Sequence, residues 1–116
     1  MNTTELKKRT KDFALRVMRL SRSIPSGRVE NTIANQVVRC GTSVAANYRA
    51  ACLGRSKKDF ISKLGIVAEE ADESALWIEL LIEDNIIEAD KLKPLHQEAS
   101  ELTAIILASI KTARNN

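Results

Sequence analysis

Apolar positions recur at alternating spacings of three and four along four stretches of this chain, and no run alternates in twos for long. In the first stretch Leu6, Thr10, Phe13, Val17, Leu20 and Ile24 make one stripe. The second carries Ile33, Val37, Cys40, Val44, Tyr48 and Ala51, and the third Phe60, Leu64, Val67, Ala71, Ala75, Ile78 and Leu81. The fourth carries Leu92, Leu95, Ala99, Leu102, Ile106 and Ala113, widened by Ile105 and Ile110. Stripes of that period are the buried faces of amphipathic helices, whereas a half-buried strand would need strict alternation. Breaks fall at Ser23 to Gly27, at Leu53 to Ser56 and between Asp84 and Asp90. Short breaks between long helices force antiparallel neighbours. The pattern predicts an all-α fold, an up-down antiparallel four-helix bundle, with residues 1–116 as a single domain.

The breaks carry their own chemistry. Gly54 suits a left-handed residue past a helix end, Ser56 a cap on the next helix, and Asp59 the positive end of that helix. Asp90 is the candidate cap of the last helix. Pro94 removes a backbone bond near the end of its first turn, so an irregular start is expected. Gly41 and Gly65 lie inside helices, where glycine costs about 1 kcal/mol relative to alanine, so both are expected to mark close helix contacts.

Composition narrows the class. With 116 residues, 44% hydrophobic and 28% charged, the chain suits one modest core that buries about 65–70% of its unfolded surface. The apolar fraction and the lack of a long polar tract exclude disorder. No apolar run approaches the roughly 20 residues of a membrane span, and no secretory hydrophobic region follows the charged first residues. A cytoplasmic protein is the expectation.

Net charge is +3, but its distribution is uneven. Residues 1–63 hold 14 Lys+Arg and 4 Asp+Glu, a balance of +10. Residues 64–116 hold 4 Lys+Arg and 11 Asp+Glu, a balance of −7. Such asymmetry points to an anionic partner, or equally to oppositely charged helix pairs that attract each other.

Catalytic groups are scarce. The single histidine, His96, is expected to face solvent among Lys93, Gln97 and Glu98, and one histidine cannot supply the paired Glu-x-x-His motifs of a di-iron bundle. Cys40 and Cys52 lack neighbours at zinc-ligand spacing. One continuous helix would hold them roughly 18 Å apart, too far for a disulfide, so two small buried thiols are expected. No glycine-rich phosphate loop is present. The chain is therefore expected not to be an enzyme and to use no metal or cofactor.

Two polar patterns remain. Lys7, Lys8, Arg9, Lys11, Arg16, Arg19 and Arg22 cover the first helix away from its apolar stripe, with Arg28 beyond it and only Glu5 and Asp12 to dilute them. Phosphate neutralisation tolerates variable spacing, so this face is the candidate RNA or DNA contact; without interleaved aromatic residues, binding is expected to follow the backbone. Elsewhere, Gln36, Arg39, Ser43 and Asn47 descend the second helix beside its stripe, and the third carries Glu69, Asp72, Glu73, Glu79 and Glu83. Antiparallel pairing from a turn near Gly54 brings Arg39 opposite Glu69 to Glu73. A structural network of Gln36, Arg39, Ser43, Asn47, Glu69 and Glu73 is expected, costly to break if buried.

These same residues carry a family resemblance. Gln36-x-x-Arg39-x-x-x-Ser43-x-x-x-Asn47, then Ser56-x-x-x-Phe60, Leu64, Ala68-Glu69 and Glu73, resembles the bacterial 23S ribosomal RNA intervening-sequence proteins, also labelled S23 ribosomal proteins. Asp72-Glu73-Ser74-x-x-Trp77-Ile78-Glu79-Leu80 looks like a common variant of their third helix. Where many members read Ile-Ala-Glu-Gly after the asparagine, this chain reads Tyr48-Arg49-Ala50-Ala51. The resemblance implies a homo-oligomer, with a ring-like pentamer as precedent. The family is also similar to the accessory protein of diversity-generating retroelements, a basic pentameric bundle that binds nucleic acid and a reverse transcriptase. The leading expectation is thus a non-enzymatic oligomeric scaffold with weak RNA or DNA binding through the first helix. The alternative is a protein–protein adaptor, or a self-assembling bundle with no nucleic-acid role.

Overall fold

A computed structural model describes all 116 residues. Four helices follow one another: α1 (Thr3–Ser23), α2 (Arg28–Cys52), α3 (Lys57–Glu83) and α4 (Ala89–Arg114). They lie side by side in a bundle of 46 × 21 × 19 Å. The contacts between them fix the directions. Val17 meets Gly41 and Ser21 meets Ala34; Arg39 meets Glu70 and Glu73; Glu79 meets His96; Arg9 meets Glu98 and Glu101. Towards the other ends, Val29 lies beside Leu80, Phe60 beside Ser109 and Arg19 beside Lys91, so in each pair of neighbouring helices a rising number on one side meets a falling number on the other, as antiparallel helices require. The fold is an all-α up-down bundle.

The helix ends show which local signals act. Asn2 caps α1, its side chain accepting from the Glu5 amide at 2.8 Å, and Ser56 caps α3 from the Asp59 amide at 3.1 Å. Such caps contribute about 1 kcal/mol each. Gly54 does not take the left-handed conformation, a region that no glycine of the chain occupies. Its lack of a side chain serves close approach instead. A Cβ there would stand 3.0 Å from the Ala51 carbonyl and 3.2 Å from the Phe60 nitrogen.

The left-handed residue is Asn85, with φ 56°. The Ile86 amide reaches back to the Leu81 carbonyl at 2.9 Å and the Asn85 amide to Ile82 at 3.0 Å, the two bonds of a Schellman end to α3. Asparagine tolerates that conformation because its short polar side chain bonds locally. Asp90 is not the cap of α4. Glu88 occupies that position without a side-chain bond, and Asp90 lies in the first turn, 3.7 Å from Lys93. The irregular start expected from Pro94 takes the form of a tightened turn, with Lys91 N bonded to the Glu88 carbonyl at 3.1 Å.

The stripes form one core of 22 apolar residues running the length of the bundle. Phe60, Ile24, Ile105 and Ala113 sit at its edge, only partly covered. Outside the expected stripes, Ala68 joins this core and Ala14 is buried as well. Seam width follows side-chain size. Gly41 lets α1 press onto α2, because a Cβ there would lie 2.6 Å from Val17 Cγ1. Between α2 and α3, Ser74 Oγ lies 3.2 Å from Cys40 Sγ. Gly65 marks no such contact, for nothing lies within 4 Å of its missing Cβ. Helices α1 and α4 approach each other at far fewer positions than the other neighbours do.

Candidate nucleic-acid interface

The eight expected contact residues fall into two groups. Six stand free. No carboxylate lies within 4.0 Å of Lys7, Lys11, Arg16, Arg19, Arg22 or Arg28. All but half-buried Arg16 are exposed. Arg28 is the first residue of α2 rather than part of a loop, a place where the helix dipole disfavours a cation. Its position does nothing for the helix. Leu15 and Met18 lie among these charges, Leu15 exposed and Met18 half-buried, so the face is basic but not uniformly polar.

The other two, Lys8 and Arg9, are engaged with carboxylates. Lys8 Nζ donates to Asp12 Oδ2 at 2.7 Å one turn on, an exposed pair that weakly competes with other anions. Arg9 is committed more firmly. Its Nε and Nη2 donate to the two oxygens of Glu98 at 2.7 Å each, and Nη2 also reaches Glu101 at 2.8 Å. Arg9 and Glu98 side chains are only 23% and 17% exposed. The Glu98 hydrogen bonds, helped by Glu101, hold the guanidinium above its ordinary range against the opposing effect of burial. On the other side, the Gln97 amide and then Arg9 hold the Glu101 carboxyl below its ordinary range. This fork ties α1 to α4 across the wide seam. The sequence signal for it was the acidic pair at Glu98 and Glu101, one turn apart on the flank of the α4 stripe.

The network on α2 and α3 forms with a different membership. Arg39 Nε donates to Gln36 Oε1 at 3.1 Å and Nη1 to Glu70 at 3.0 Å, while Nη2 pairs with Glu73. Trp77 Nε1 also donates to Glu73, at 3.1 Å. Glu69 is exposed and takes no part; helix rotation turns Glu70 toward α2 in its place. Asn47 donates to the Ser43 carbonyl on its own helix at 2.9 Å, so neither joins the arginine. The arginine side chain is 48% exposed, so the network is a surface feature, and losing it costs little of what a buried ion pair would.

The remaining candidates are structural. His96 does not face solvent freely. It is half-buried, with Nε2 2.7 Å from Glu79 Oε2 across the α3–α4 seam. Cys40 is buried and Cys52 partly covered, and both are free thiols. Burial pushes the Cys40 thiol up from its ordinary value, which keeps it protonated and unreactive. No group of three His, Cys, Asp or Glu residues is arranged to hold a metal ion. No helix is long and apolar enough to cross a membrane.

Comparison with known proteins agrees with this architecture. No curated protein matches the chain. A crystal structure of a protein with unknown function, from the S23 ribosomal protein family of Bacteroides thetaiotaomicron, superposes with a TM-score of 0.88 at 32% identity. The match covers 96% of this chain and 99% of that one. The family model described as 23S rRNA-intervening sequence protein matches residues 2–108. Fold, length and sequence agree, and the chain belongs to the 23S rRNA-intervening sequence protein family.

Proposed function

We propose that this protein is a non-enzymatic oligomeric scaffold that binds the phosphate backbone of RNA or DNA through α1. The observation that carries this reading is the set of six cations on α1 and at the start of α2 with no carboxylate partner. Lys8, by contrast, is held beside Asp12 one turn on, where its charge serves the helix itself. The absence of aromatic residues from the face favours contacts to phosphate over stacking on bases.

The test is a salt series. Binding of a generic structured RNA to wild type is expected to weaken steeply with salt. The triple variant Arg16→Ser, Arg19→Ser, Arg22→Ser should bind more weakly, with a log–log slope shallower by about 3. Wild type that fails to bind at low salt would overturn the reading in favour of a protein adaptor or a bundle that only self-assembles.

Self-association has its own support. Val29, Leu76 and Leu80 are 54%, 47% and 38% exposed, and Val29 and Leu80 line one groove between α2 and α3. A cluster of large apolar side chains in water favours a protein contact. Repeating a weak basic face in one particle also raises avidity without new contacts per chain. A light-scattering mass of several chains is expected, with a pentamer as the family precedent. A mass near 12.9 kDa at working concentration would remove the oligomer from the proposal.

A further inference from the structure

The wide seam between α1 and α4 opens, near the start of α4, into a groove of about 330 Å3. Arg16 and Arg19 line it from α1 and Lys91 from α4, and no acidic residue lines it. None of the three cations has a carboxylate within 4.0 Å. The nearest acidic residue in sequence, Asp90, is itself beside Lys93. The floor is apolar: Leu20, Leu92 and Leu95 are almost wholly buried there. Three like charges around one concavity repel one another, and the fold supplies no counter-charge for them. An anion supplied from outside would.

We propose that this groove seats one backbone phosphate of the bound nucleic acid between Arg16, Arg19 and Lys91, with the adjoining sugar against Leu20, Leu92 and Leu95. The inference rests on the nucleic-acid reading and extends it to α4, in the acidic half of the chain. It assigns Lys91 a contact role, and it separates Arg16 and Arg19, which share one phosphate, from Lys7, Lys11, Arg22 and Arg28, which meet others. A phosphate held there also bridges the seam that the protein itself links only sparsely.

RNA binding by single and double variants tests this. Lys91→Ser is expected to lower affinity about three- to ten-fold and reduce the salt slope by about 1, as Arg19→Ser does. Lys93→Ser, two residues away and outside the groove, should change neither. Arg19→Ser and Lys91→Ser combined should lose less than the product of their separate effects, since both act on one phosphate. Arg28→Ser and Lys91→Ser should multiply. If wild type binds RNA with a steep slope but Lys91→Ser is silent, or matched by Lys93→Ser, the groove is wrong while the nucleic-acid reading stands. If wild type does not bind at all, both fall. Pyrophosphate titrated at constant ionic strength is expected to show no saturable binding. Tight binding of it would reassign the groove to a free phosphate ligand and overturn the proposal.

Discussion

Phe13→Ala should destabilise the bundle by about 3–5 kcal/mol, the largest loss expected from any single substitution in it. Phe13 is fully buried and is the largest side chain so enclosed. It sits midway along α1, within the stripe that runs from Leu6 to Leu20. Truncation removes its transfer free energy and leaves a cavity, which closes only as far as the surrounding helices can shift. The room to shift is small, because α1 already touches α2 through Gly41 and Val17. For a domain whose total stability is about 5–15 kcal/mol, the variant retains little margin. Thermal melting followed by circular dichroism should show a midpoint lower by about 12–20 °C. Phe13→Leu, which keeps most of the volume, should lose far less. A fall of only a few degrees for the alanine variant would mean that the α1 stripe is not packed as described.

Gly41→Ala is the second. Alanine in a helix is favoured over glycine by about 1 kcal/mol, and from the sequence alone this change reads as stabilising. The tertiary contact reverses the sign. A Cβ at position 41 would stand 2.6 Å from Val17 Cγ1 and 2.8 Å from both Val17 Cβ and Cγ2. A flexible side chain could swing away, but a β-branched valine is stiff and its Cβ moves only with the backbone. Val17 is also fully buried, so it has nowhere to retreat. Helix α1 must separate from α2, and the overpacking should cost about 1–3 kcal/mol net. Val17→Ala removes two of the three clashing atoms. The double variant should therefore be more stable than the sum of the single losses implies, by about 0.5–3 kcal/mol. Strict additivity in urea melts would show that the two positions do not touch.

Much of this architecture was legible beforehand because helix formation and burial follow a local period. Six positions in each of the first two stripes and seven in the third were enough to orient those helices, and the buried residues confirm nearly all of them. The short break at Leu53 to Ser56 required antiparallel packing of α2 and α3, and Arg39 did find its carboxylates, Glu70 and Glu73, within the stretch where the count placed them. The misplacements have separate causes. Glu70 rather than Glu69 faces Arg39 because a 100° step separates neighbouring helix residues, and counting from a turn does not resolve it. Asn85 rather than Gly54 took the left-handed turn because chain geometry past each helix end, not residue type alone, decides where φ changes sign.

By itself, then, the sequence determined the number, length and polarity of the helices, their order and the basic character of α1. These properties depend on residues close together along the chain. Only the tertiary structure decided which charges remain free. Arg9 is neutralised by Glu98 and Glu101, about ninety positions away, whereas Arg16 and Arg19 share with Lys91 a groove that no carboxylate lines. The physical reason is that Coulomb interaction depends on distance through space. Antiparallel packing of the first helix against the last sets those distances, and no local pattern encodes them.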